Sequence, residues 1–91
     1  MDRQRLDRWL FFARAVKSRT LAQKLIEAGN VRVNGERTLR TDHQVGAGDV
    51  LTMTIGTRLL VWRIADTGER RGPPLAARAL YEDISPQLPG A

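Results

Sequence analysis

The sequence predicts an α+β domain in which two antiparallel N-terminal helices pack on a small, mainly antiparallel sheet, followed by a short C-terminal helix. Three observations lead there. Apolar residues recur every three or four positions as far as Ala28, and beyond Val31 the period falls to two. Between the first two alternating runs sits Asn34-Gly35, the residue pair best suited to a two-residue hairpin turn, where both central positions need positive φ. At 91 residues the chain holds a single domain with a small core and little room for a large enclosed cofactor site.

Leu6, Trp9, Leu10, Ala13 and Val16 keep helical spacing, which predicts a first helix from about Arg3 to Val16 with Asp2 as its cap. Arg5, Arg8 and Phe12 then fall together on its outer side. Ser18 is placed to cap a second helix whose inward stripe is Leu21, Ala22, Leu25, Ile26 and Ala28, and Gly29 supplies the left-handed stop. The linker is then little more than Lys17-Ser18, so the helices form a tight pair. Val31-Arg32-Val33 and Glu36-Arg37-Thr38 flank the hairpin turn, Gly46-Ala47-Gly48-Asp49 makes another, and Leu51, Met53 and Ile55 alternate along a third strand. Arg58–Ala65 pairs back on it; composition does not decide whether this strand is an edge open to self-association. Asp66–Pro74 reads as a polar loop with adjacent Arg70 and Arg71, Leu75–Asp83 as a short helix with Pro74 near its first position, and Ile84–Ala91 as a loosely held tail.

Charge is unevenly distributed. The formal net charge is +5, yet residues 1–40 carry +6 and residues 41–91 carry −1. Most of the N-terminal bases are arginine, whose planar fork suits bidentate contacts to phosphate. A polyanion is the natural partner. Arg5, Arg8, Arg14, Lys17, Arg19, Lys24, Arg32 and Arg37 form the candidate surface, and the free N–H groups at the start of the second helix, beside Lys17 and Arg19, add an anion site made by the backbone. Of Phe11 and Phe12, one is expected in the core, and the other is a candidate platform for an unpaired base.

Enzymatic readings find little support. With no cysteine there is no thiol nucleophile, disulfide or zinc ribbon, and with one histidine, His43 in a loop, there is no His-rich metal site. Gly46–Asp49 lacks the trailing Lys-Ser/Thr of a phosphate-binding loop and is a turn. No apolar run approaches the length of a membrane span and no signal-type segment follows the start, so the expected location is cytoplasmic, with no membrane partner and no cofactor.

Arg5-Leu6-Asp7-Arg8-Trp9-Leu10, Lys17-Ser18-Arg19-Thr20-Leu21-Ala22, Ile26–Gly35 and Val45–Asp49, in this order, resemble the S4-type RNA-binding domain over residues 3–53. The resemblance implies the S4-like (αL motif) fold, with the RNA-binding domain spanning 1–66 and a loop, short helix and tail spanning 67–91. It implies structured RNA, ribosomal RNA and also tRNA, as partner, with DNA not a primary target. The implied RNA-facing residues are Arg5, Arg8, Lys17, Ser18, Arg19, Gln23 and Lys24, extended by Arg32, Asn34 and Arg37 on the hairpin. Similarity continues into Arg70-Arg71-Gly72-Pro73 and Ala79–Asp83, as in a small heat-shock branch of the family whose members bind large ribosomal subunits carrying peptidyl-tRNA. Members of that branch carry a longer, very basic C-terminal extension, where this chain ends at Ala91. Two other roles fit an S4-type module: an RNA-docking accessory of a modification enzyme such as a pseudouridine synthase, and an adaptor for acidic ribosomal proteins.

Overall fold

Alternating apolar side chains on one face of a five-stranded antiparallel sheet organise the computed structural model, which describes residues 2–86. The elements run β1 (Arg3–Arg5), α1 (Leu6–Phe12), α2 (Arg19–Glu27), β2 (Val31–Val33), β3 (Glu36–Arg37), β4 (Gln44–Gly46), β5 (Val50–Ile55), β6 (Arg58–Ile64), α3 (Pro74–Arg78) and β7 (Tyr81–Asp83). The large sheet has the order β3-β2-β5-β6-β7, and β1 pairs with β4 in a separate two-stranded ribbon. Val31, Val33, Leu51, Met53, Trp62 and Ile64 line its inner face against Leu6, Trp9 and Leu10 of α1 and Ala22 and Ile26 of α2. A seven-residue helix has no stability of its own in water. The full burial of Leu6, Trp9 and Leu10 holds it, at about 2–3 kcal/mol for each large side chain.

The α+β class and the hairpin stand as the sequence predicts, with Asn34 at φ 52° and Gly35 at φ 86°. Several boundaries differ. The first helix spans only Leu6–Phe12, because Arg3–Arg5 is a strand held by Gln44–Gly46. Asp2 does not cap it. The amides of Leu6 and Asp7 donate instead to the carbonyls of His43 and Thr41, so a loop distant in sequence satisfies the first turn.

The link between the helices is six residues, 13–18, rather than two. Its start is a helix stop built on Arg14 at φ 61°, where the Ala15 amide donates to Leu10 and the Arg14 amide to Phe11. The same two bonds close α2, from Asn30 to Leu25 and Gly29 to Ile26, with Gly29 in the left-handed position.

Leu21, expected in the inward stripe, is 45% exposed. Past residue 66, α3 begins at Pro74 as expected but stops at Arg78, and Tyr81–Asp83 forms a strand against β6. Consequently β6 is an interior strand and not an open edge. Tyr81 stacks on Trp62 with ring centroids 3.7 Å apart, and Trp9 meets both rings edge-on. The start of the expected loose tail is tied down. Ile84 N–H donates to the Val61 carbonyl and Val61 N–H donates to Ser85 Oγ. The remainder of that expectation, residues 87–91, lies outside the described residues.

Candidate nucleic-acid interface

A carboxylate organises the cationic face. Asp7, in the first turn of α1, is fully buried. The Arg5 guanidinium grips it in a fork, Nε donating to Oδ1 and Nη2 to Oδ2, each at 3.1 Å. Arg8 N–H donates to Oδ1 at 2.8 Å, and Gln23 Nε2, reaching across from α2, donates to Oδ2 at 3.0 Å. Arg19 Nη2 lies 3.6 Å from the same oxygen. Arg5 from β1 and Arg19 and Gln23 from α2 therefore meet on one anion, and the two arginine side chains remain 42% exposed.

Burial penalises the charged form of Asp7. The hydrogen bonds from Gln23 and Arg5, the Arg5 charge and the Arg8 amide outweigh that penalty and hold its carboxyl below the usual carboxylate range. A carboxylate with a depressed folded-state pKa contributes stability that is fully present above its ordinary pKa, near 4, and is lost as pH falls through the folded value. Acid unfolding followed by circular dichroism is therefore expected to show stability falling below about pH 4, with a shallower fall in Asp7→Asn. Superimposable acid limbs would exclude Asp7 as the group responsible.

The remaining sequence-predicted residues divide into those free for a ligand and those committed to the fold. Arg8, Lys17 and Lys24 are exposed. Lys17 and Lys24 rim an open groove of about 470 Å³ whose other walls are Ala15, Val16, Leu21, Leu25 and Ile55. Ser18 Oγ accepts from Leu21 N–H at 3.1 Å, the cap expected of it. Gln23 is occupied by Asp7. Asn34 is also committed, its Nδ2 donating to Asp49 Oδ1 and its Oδ1 accepting from Val50 N–H. Arg14 is drawn toward the 67–73 loop, where its Nε donates to the Gly72 carbonyl at 2.8 Å. Arg32 and Arg37 are exposed partners across the β2–β3 ladder.

Neither phenylalanine is an open platform. Phe12 lies against Gly68, and the Arg71 guanidinium covers Phe11 at 4.9 Å from its centroid. Arg71 also donates to the carbonyls of Phe11 and Val16, which ties the 67–73 loop to the connection between the helices. His43 is half-buried, with Nδ1 3.2 Å from Thr38 Oγ1.

Sequence reasoning passed over Asp7 and Arg71. Asp7 had a visible signal, an acid flanked by Arg5 and Arg8 beside the inward residue Leu6; Arg71 was visible only as part of the Arg70-Arg71-Gly72-Pro73 block of the resemblance, which gave it no role.

This arrangement of helix pair, hairpin and turn coincides with a known family: the S4 domain matches residues 4–51. The chain belongs to the S4 domain family. Heat shock protein 15 homolog of Aeromonas salmonicida is 36% identical over 84 residues, which cover 92% of this chain and 63% of that protein. The RQC P-site tRNA stabilizing factor of Bacillus subtilis is 33% identical over 60 residues, covering 66% of this chain and 69% of that protein. The trimeric structure of Vibrio cholerae heat shock protein 15 superposes with a TM-score of 0.86 at 31% identity, over 92% of this chain and 84% of that one. The chain thus spans a little over 60% of the length of the heat-shock relatives it matches. Neither the family nor these relatives carries the name of an enzyme. Among the described residues no helix is long and apolar enough to cross a membrane.

Proposed function

We propose that this chain is a non-catalytic, cytoplasmic RNA-binding protein that engages ribosomal RNA and tRNA on the large ribosomal subunit, in the recycling or rescue of stalled subunits carrying peptidyl-tRNA. The observation that carries the reading is the convergence of Arg5 and Arg19 on buried Asp7, which fixes two guanidinium groups side by side before any ligand arrives. Preorganised cations bind an anionic backbone without first losing their own side-chain entropy. Arg8, Lys17 and Lys24 add attraction around them, and the first turn of α2, whose helix dipole favours an anion, carries Arg19 itself. Residues 1–66 are the RNA-binding unit in this reading, with the segment from 67 bracing it through Arg71. Recognition rests on shape, phosphate and 2′-hydroxyl contacts, since A-form RNA hides its major groove. The names of the relatives, one of them a P-site tRNA stabilizing factor, agree with this assignment.

Cross-linking to stalled and to empty large subunits, with mapping of the attached nucleotides, tests it. Adducts on ribosomal RNA or tRNA that are enriched on the stalled particles are expected. Adducts confined to ribosomal proteins and resistant to nuclease would replace this reading with a protein adaptor, and newly modified nucleosides in the RNA would replace it with an enzyme accessory.

Arg19→Ala is expected to weaken RNA binding by about 1–3 kcal/mol while leaving the fold intact, because its contact with Asp7 is the longest in the cluster. Filter binding alongside a thermal melt checks both halves. Unchanged affinity in a folded variant would remove Arg19 from the interface.

A further inference from the structure

The helix pair covers one face of the large sheet. On the other, Arg32, Thr54, Leu59 and Arg63 point outward by strand alternation and are exposed. Arg32 and Arg37 stand directly opposite each other across the β2–β3 ladder, and Arg32 faces Thr52 on its other side. Like charges directly opposite on a ladder are destabilising. Arg3, Arg5, Arg19, Arg40 and Arg63 each reach a carboxylate, whereas neither Arg32 nor Arg37 does so among the described residues. Arg32 has one long hydrogen bond, from Nη1 to the Gly35 carbonyl at 3.4 Å. Protection of a sheet edge accounts for a cation at Arg37 on the edge strand, but not for one at Arg32 on the strand inside it. Beside the pair lies a pocket of about 190 Å³ lined by Gly29, Asn30, Arg32, Thr52, Thr54 and Leu59. An unneutralised arginine pair next to two threonine hydroxyls suits a phosphodiester with its adjoining ribose, since guanidinium forks match phosphate and hydroxyls meet the 2′-OH.

We infer that the outer sheet face is a second RNA-backbone contact, built on Arg32 and Arg37 with Thr52 and Thr54, so that the protein holds two RNA segments on opposite sides of its sheet. This rests on the RNA-binding reading above and extends it, because strand alternation puts Arg32, and Arg37 opposite it, on the sheet face away from the one that the helices cover. A protein with two such faces clamps separate RNA elements together instead of lying along one.

Native mass spectrometry of the full chain with excess of a short RNA hairpin tests the inference. The unmodified protein is expected to take up two hairpins. Arg32→Gln/Arg37→Gln is expected to keep one and to weaken the second at least tenfold, the scale of a lost charge-assisted bond. Lys17→Gln/Arg19→Gln is expected to keep the other. Arg37→Glu is expected to lose the second hairpin while raising the thermal midpoint, since it converts the opposed cations into an ion pair. Saturation at one hairpin, abolished by Lys17→Gln/Arg19→Gln, would overturn the second contact and leave the helix-pair reading standing. A second hairpin that survives Arg32→Gln/Arg37→Gln would also overturn it, as would a lower midpoint in Arg37→Glu. Absence of any bound RNA would remove both readings.

Discussion

Alanine at Asp7 is expected to destabilise the domain by about 2–3 kcal/mol and, at the same time, to weaken RNA binding. The first effect follows from four donors converging on one fully buried carboxylate. Its removal leaves the Arg8 amide and the Gln23 amide group with no acceptor there. Breaking a buried ion pair costs about 3–5 kcal/mol when the surviving charge is trapped away from water. Here Arg5 and Arg19 are 42% exposed and gain hydration on losing their partner, which places the cost below that range.

The second effect decides between two accounts of the interface. Removing a carboxylate raises the local positive charge, so attraction by net charge alone predicts tighter RNA binding. Preorganisation predicts the opposite, because Arg5 and Arg19 lose the anchor that aligns them and must be ordered by the ligand. Urea unfolding combined with filter binding at fixed salt separates the two, provided the variant is assayed well below its unfolding midpoint. A folded Asp7→Ala that binds RNA as tightly as the unmodified chain, or more tightly, rules out Asp7 as the organiser of the site.

How much of this was legible in the sequence is clearest from the two helix ends. Both α1 and α2 stop with the same pair of backbone bonds around a left-handed residue. In α2 that residue is Gly29, the residue that adopts this conformation without a steric penalty, and the predicted end agrees with the observed one. In α1 it is Arg14, whose side chain advertises no turn, so the expected helix ran on to Val16. Arg14 tolerates φ 61° while tertiary contacts hold the turn, among them its own bond to Gly72 and those of Arg71 to Phe11 and Val16.

The start of α1 was obscured for a related reason. Arg3–Arg5 extends only because Gln44–Gly46 lies beside it, and three residues are too few to display a period of two. Likewise Tyr81–Asp83 reads as helix until β6 pairs with it. The cationic character of the site was plain in composition, whereas its geometry was not. Charge counting marks Arg5 and Arg19 as candidates and cannot reveal that one buried carboxylate joins them. Nor does it separate Asn34, whose amide braces the Asp49–Val50 turn, from residues free to meet a ligand.

Raising the salt concentration from about 50 to about 200 mM is expected to weaken RNA binding by a few hundred fold if both cationic faces engage, and by only about fifty-fold if the helix pair acts alone. The difference comes from how many phosphates each arrangement neutralises. Arg5, Arg8, Lys17, Arg19 and Lys24 are five cations, but Asp7 already offsets one of them, so the helix pair is equivalent to about four free charges. With the coefficient for single strands, four charges give a slope of log affinity against log salt of about −2.8. Arg32 and Arg37 carry no such offset among the described residues, and adding them brings the slope to about −4.2. Fluorescence anisotropy across a potassium chloride series, with the unmodified chain and Arg32→Gln/Arg37→Gln measured against one structured ribosomal RNA fragment, reads the two slopes directly. A difference of about one and a half units between them places both arginines on phosphate when RNA is bound. Equal slopes restrict the contact to the helix pair. A slope near zero for the unmodified chain contradicts phosphate neutralisation altogether, because a ligand held by hydrogen bonds and stacking without ion release has no reason to respond to salt.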